Sequence, residues 1–171
     1  MNITIKVATL TDAEEIAIFS RKSFYESFAD QNTEQNMEKF MLQFSVNSLV
    51  EEVKNPDNIF ITALKNDVII GYVKLSKSEK PVELTNEKAI EISRIYIDKT
   101  MTGQGIGNKL MKYSLDLIKD LKANTAWLGV WENNKNAIAF YAKWGFERFG
   151  EHIFMLGDDP QTDWLLKKEI M

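Results

Sequence analysis

Apolar residues alternate at Ile3, Ile5 and Val7, the period-two signature of a strand. Thr11 and Glu14 stand at capping-box spacing, which predicts a first helix from there to about Phe24. The stretch from Glu26 to Lys54 has a helical but irregular pattern, and Asn55-Pro56 is expected to end it. Ile59 to Leu64 and Val68 to Leu75 read as two strands joined by Asn66-Asp67, turn chemistry that predicts a hairpin. A polar loop near Lys77 to Glu87 precedes a strand from Ala89 to Ile97.

Ile106, Leu110, Tyr113, Leu117 and Leu121 then recur at helical spacing. Thr125 to Trp131 reads as a strand. Ala137, Phe140, Tyr141 and Trp144 mark another helix, with Gly145 suited to its C-terminal end. Short strands are expected at Phe146–Phe149 and Asp163–Ile170. The order β-α-α-β-β-β-α-β-α-β-β predicts an α/β (α+β) fold around one mixed sheet. With 171 residues, no repeat and no linker, residues 1–171 are expected to form a single domain.

Composition narrows the chemistry. There is no cysteine and one histidine, His152. Cysteine nucleophiles and zinc sites built on thiolates or several histidines are excluded, and no metal is expected. The net charge of −4 comes without a basic stripe, so nucleic acid is not an expected partner. No run is long enough to span a membrane and no targeting signal stands at the start, so the expected location is cytoplasmic.

The segment from Ile95 to Leu110 is the most informative. A strand runs into Gly103, Gly105 and Gly107, and a long helix follows. A helix start offers unpaired N–H groups and a positive dipole end, and glycines let a ligand approach the backbone. A phosphate site is the expectation. The Rossmann pattern fails here, because its third glycine falls on Asn108 or Leu110, and no Gly-Lys-Ser/Thr completes a P-loop.

Thr102 to Gly107 resembles the acyl-CoA motif of the GNAT acetyltransferases, Gln/Arg-x-x-Gly-x-Gly/Ala. Asn134 to Phe146 resembles that family's second signature, Asn-x-x-Ala, an aromatic-Tyr pair and a closing Gly-Phe. Trp127 to Glu132, Phe24 to Phe28 and Gly157 to Asp163 look like segments of the Pai-type spermidine/spermine N-acetyltransferases. The resemblance spans essentially the whole chain. It implies the GNAT fold, a mixed and mostly antiparallel sheet flanked by helices, and acetyl-CoA as co-substrate.

By the same resemblance, the amides of Gly103, Gln104, Gly105, Ile106, Gly107 and Asn108 hold the pyrophosphate. Ile95, Tyr96 and Ile97 pair with the pantetheine arm, Asn134 contacts it, and Tyr141 lies beside the sulfur. The chain departs from the motif at Thr102, where a long donor is usual; Lys99 or Lys109 is a candidate to compensate.

The implied reaction is direct acetyl transfer to a primary amine of a small acceptor, polyamines included. Protein N-terminal or lysine acetylation, and a non-catalytic acyl-CoA-binding module, are the alternatives. A lysine-like amine is only about 0.04% neutral at pH 7, so a base is useful. Glu91, on the strand before the glycine loop, is the base candidate; alternation puts it on one face with Ser93, Ile95 and Ile97. Tyr141 is the acid candidate, although a tyrosine on an apolar helix face also suits packing. Glu26, Asp30, Glu34, Glu132, Asp158, Asp159 and Asp163 are the acidic residues that could bind a cationic acceptor, with Phe28 or Trp131 as aromatic walls. His152, alone in a polar stretch, is expected at the surface or hydrogen-bonded. A monomer or homodimer is expected.

Overall fold

The computed structural model describes residues 2–78 and 80–171. Its strands are β1 (Thr4–Val7), β2 (Asn58–Lys65), β3 (Val68–Ser76), β4 (Ala89–Ile97), β5 (Thr125–Trp131), β6 (Glu147–Leu156) and β7 (Asp159–Glu169). Its helices are α1 (Ala13–Phe28), α2 (Glu34–Gln43), α3 (Val46–Lys54), α4 (Ile106–Asp120) and α5 (Lys135–Lys143). The strands form one sheet in the order β1-β2-β3-β4-β5-β7-β6, antiparallel everywhere except between β4 and β5. This is the mixed, mostly antiparallel sheet expected.

Several boundaries differ from the pattern-based expectation. The capping exchange at the start of α1 sits two residues earlier than predicted. Asp12, not Glu14, accepts the N–H of Thr9, at 2.8 Å, and a 3-10 turn over Leu10–Asp12 leads into the helix. The irregular stretch from Glu26 to Lys54 resolves into the end of α1 and two capped helices. Thr33 accepts from the Asn36 amide and Ser45 from the Ser48 amide, each satisfying an orphan donor of a new helix start. Asn55-Pro56 does end α3. The two C-terminal strands are longer than predicted and form a hairpin about Gly157 and Asp158. Asn66 and Asp67 both take positive φ, 51° and 62°, as a primed hairpin turn requires.

The sheet is covered on both faces. α4 and α5 bury one face, where Ile106, Leu110, Met111 and Ile118 meet Ile61, Val73 and Leu128. The α4 pattern was read correctly as a helix but its buried stripe is rotated: Met111, Ser114 and Ile118 are fully enclosed, whereas Leu121 is exposed. α1, α2 and α3 cover the other face through Phe24, Met37, Phe44 and Leu49. Among the described residues no helix is long and apolar enough to cross a membrane.

Candidate active site

Two irregularities in β4 create the site. The first is a bulge. Lys74 pairs with Arg94 and Leu75 with Ile92, which leaves Ser93 as the extra residue. The bulge reverses the alternation, so Ile90, Ile92, Ile95 and Ile97 all pack on the α4 side. Tyr96 packs on the opposite side, against Tyr72, and Arg94 faces α3. Glu91 therefore does not share a face with Ile95 and Ile97, as simple alternation predicted; it belongs with Arg94 and Tyr96.

The second irregularity is a splay. β4 and β5 pair only at Ala89, Ile90 and Glu91, opposite Thr125, Ala126 and Trp127. Beyond Glu91 the two strands part, and the edge of β4 from 92 to 97 is left without a β5 partner. A cavity of ≈ 1210 Å³ opens through this gap, reaching from the glycine loop to the underside of α1 and α2.

At one end lies the loop. Gly103 and Gly105 have φ of 75° and 78°, the left-handed conformation that a side chain resists, and Gly105 caps α4. A Cβ at either would meet nothing within 4 Å, so the outer surface of the turn is open. Gly107 is needed for a different reason: a Cβ there would lie 3.1 Å from Ile97, so it permits close contact between α4 and β4. The first turn of α4 carries no acidic residue, and its leading amides have no helical partner. These features fit a pyrophosphate. The side chains of the loop are already engaged: Thr102 donates to the Lys99 carbonyl at 2.9 Å, and Asn108 accepts from the Trp144 indole at 3.2 Å. Of the two lysines considered as compensating for the missing donor at 102, Lys99 lines the cavity and Lys109 does not.

Across the gap, Asn134 uses its side-chain oxygen to cap α5 through the Ala137 amide at 3.2 Å. Its amide nitrogen remains for a ligand. Tyr141 follows two turns later, 7% exposed and packed edge-on against Phe140 and Phe146. Burial raises its phenol well above the ordinary range, with no hydrogen bond offsetting the shift. Tyr141 also lines the cavity, so its packing against Phe140 and Phe146 does not remove it from the site.

Glu91 lines the same cavity. Burial raises its carboxyl above the usual range, against the Ser93 hydroxyl at 2.8 Å and the charges of Lys74, Arg94 and His152. A carboxylate with raised pKa is a better proton acceptor. Of the seven acidic residues considered for the acceptor, Asp163 alone lines the cavity. His152 is exposed and paired, as expected, and it also borders the cavity. It stands opposite Asp163 in the β6–β7 register, its Nε2 3.6 Å from the Asp163 carboxylate, and both face the cavity over Gly129. A turn at Gly157 and Asp158 pairs Leu156 with Asp159, and counting back four residues on each strand reaches this pair; that signal was present in the sequence.

An aromatic wall closes the acceptor side. Phe28 of α1 lies 6.4 Å from Trp131, and Phe40 of α2 lies 6.1 Å from Phe154. Trp127, by contrast, is buried against Leu84 and Leu165 and serves packing. Among the described residues no group of three or more His, Asp or Glu side chains could hold a metal ion.

Comparison with known proteins agrees with this geometry. Residues 21–146 match the model of the Acetyltransferase (GNAT) family. An uncharacterized N-acetyltransferase from the pepI 3' region of Lactobacillus delbrueckii subsp. lactis is 36% identical over 162 residues, 94% of this chain and 93% of its own. The spermidine N(1)-acetyltransferase of Thermoplasma acidophilum is 24% identical over 174 residues, covering 99% of this chain and 98% of the relative. The crystal structure of the PaiA N-acetyltransferase of T. acidophilum with coenzyme A shares the fold at a TM-score of 0.78 and 22% identity, covering 99% of both chains. The chain belongs to the GNAT family and is an N-acetyltransferase that uses acetyl-CoA.

Proposed function

We propose that this enzyme transfers the acetyl group directly to a primary amine of a small acceptor, with Tyr141 as acid and Glu91 as base. The observation that carries this is the splay between β4 and β5, which opens one cavity to both side chains. Acetyl-CoA supplies an activated acetyl thioester. Gly103 to Asn108 hold its pyrophosphate, the free edge of β4 at Ile95, Tyr96 and Ile97 takes the pantetheine through backbone groups, and Asn134 contacts the same arm.

Direct transfer suits a chain with no cysteine. Glu91 accepts the proton that the amine sheds on attack, and Tyr141 protonates the departing thiolate. The aromatic wall of Phe28, Phe40 and Trp131 favours a small acceptor over a protein chain. Spermidine is the first polyamine to try, since a relative bears that name. Among the described residues only Glu91 and Asp163 offer carboxylates inside the cavity, so a polyamine would place its remaining ammonium groups outside it. A cytoplasmic location belongs to the same proposal, as does action as a monomer or homodimer on a single domain.

The test is thiol release from acetyl-CoA with a panel of primary amines and peptides, against buffer alone. Amine-dependent release with mass-confirmed N-acetyl product is the expected result. Release with peptides only would move the acceptor to proteins, and tight CoA binding without release would make the chain a binding module.

A further inference from the structure

Acetyl transfer to an amine moves two protons, and Glu91 accounts for one. The ammonium that arrives must lose a proton before it has a lone pair to attack with. The amine nitrogen then bonds the acetyl carbon as the carbon–sulfur bond breaks, and its second surplus proton goes to a base. Tyr141 gives one proton to sulfur. The sum releases one proton to solvent, and a group between the buried carboxyl and bulk water is suited to carry it.

We propose that His152, steadied by Asp163, takes the first proton, and that the acceptor ammonium docks at the notch above Gly129. This rests on the direct-transfer reading above. Three observations support it. His152 is half-exposed, with 46% of its side chain accessible, while Asp163 is 17% accessible, so the pair runs from solvent into the cavity. The Nε2 of His152 lies 3.6 Å from the Asp163 carboxylate, which orients the imidazole beside the notch. The missing side chain at residue 129 provides the room: a Cβ there would sit 3.4 Å from the Asp163 carboxylate and 3.6 Å from the imidazole Cε1.

The charges around His152 are consistent with proton carriage. Asp163 faces it from β7 and Glu91 interacts with it from β4; Lys74 of β3 and Arg94 of β4 stand behind Glu91, and Tyr96 behind Asp163. Two carboxylates near the notch attract an ammonium, and the imidazole between them and solvent removes its proton. Atoms balance: R–NH₃⁺ and imidazole give R–NH₂ and imidazolium, which returns its proton to water.

The experiment uses the full chain, acetyl-CoA, and spermidine and tyramine as probe amines. His152→Gln should lower kcat/KM for the better amine by roughly 10²-fold, the scale of a lost general base. Calorimetry should show its acetyl-CoA affinity within about twofold, because the residue is remote from the glycine loop. The acid limb of its pH profile should lose one proton of steepness, which a structural role would not cause. Gly129→Ala meets only ordinary contacts and should fold, yet should raise KM for the amine about tenfold. Activity of His152→Gln within about threefold of wild type, with an unchanged acid limb, overturns the proposal while direct transfer stands. A wild-type protein that acetylates neither probe nor any other amine overturns both.

Discussion

Glu52 and Glu91 feel the same two cations, and their carboxyls shift in opposite directions. Glu52 reaches up from α3, accepts both arms of Arg94 at 2.6 and 3.1 Å, and takes Lys74 at 3.0 Å. Burial alone would raise it; Arg94 first and Lys74 second overcome that and hold it below the usual range. Glu91 stands on the strand itself, and among the described residues its carboxylate accepts a hydrogen bond from Ser93 alone. There burial wins and the carboxyl rises. Arg94 is committed to Glu52 and stacked 4.8 Å over Phe44, so its charge reaches Glu91 without a contact. Saturated hydrogen bonding makes an inert structural anion; the same neighbourhood with the donors already spent leaves a proton acceptor.

The largest expected effects test the reactive half of this contrast. Tyr141→Phe and Glu91→Gln should each lower kcat by roughly 10²- to 10⁴-fold, the usual contribution of a positioned acid or base. Acetyl-CoA affinity should persist in both, because these contacts act mainly in the transition state. Since Glu91 is raised, its contribution to the acid limb of the wild-type profile should lie above the ordinary carboxylate range, and Glu91→Gln should remove that one proton of steepness. Near-normal single-turnover rates would return both residues to packing roles.

Next comes the structural half. Glu52→Gln leaves Lys74 and Arg94 without their shared anion and should cost about 3 kcal/mol of stability. Glu52 has a depressed folded-state pKa, so its contribution is complete above the unfolded value near ~4.3 and is lost as pH falls through the folded one. The gap in denaturant midpoint between wild type and Glu52→Gln should therefore hold at neutral pH and shrink below about pH 4. A gap that grows in acid would refute the assignment.

A smaller effect concerns the cofactor end. Gly105→Val forces a β-branched residue into a left-handed position, a strain of about 1–2 kcal/mol. The loop should relax out of its amide-presenting shape and weaken CoA binding by roughly tenfold or more, while the protein still melts cooperatively. Wild-type affinity in a calorimetric titration would remove the pyrophosphate assignment.

How much of this was legible beforehand depended on range. The glycine loop, Tyr141 and the strand carrying Glu91 all lie in short continuous segments, where periodicity and turn chemistry act locally. The orientation of Glu91 was misjudged because the Ser93 bulge depends on the pairing of β4 with β3, which alternation within one strand does not register. The roles of Thr33 and Ser45 as helix caps were locally readable but hidden in an irregular apolar pattern. His152 and Asp163 are eleven residues apart in sequence and meet only through the long β6–β7 hairpin, whose strands were expected to be short. The Glu52 cluster joins α3, β3 and β4 and had no sequence signature at all.

The smallest effect sharpens the comparison furthest, because it predicts a gain. If the Glu91 carboxyl is raised mainly by burial, its ionised form is a burden on the fold at neutral pH. A group with a raised folded-state pKa contributes stability below its unfolded pKa, and that contribution is lost as pH rises through the folded value. Above both values the wild type carries the full cost of a half-paired buried anion. Glu91→Gln removes the charge, keeps the shape and can still accept the Ser93 hydroxyl. It should be as stable as wild type or more stable by up to about 1 kcal/mol at pH 7. That advantage should disappear below about pH 4, where the wild-type carboxyl is protonated in both states. Chemical denaturation at the two pH values reads this directly. A Glu91→Gln protein destabilised at pH 7 to the degree expected of Glu52→Gln would mean that Glu91 is held by its cations as Glu52 is, and the distinction between the two carboxylates would fall.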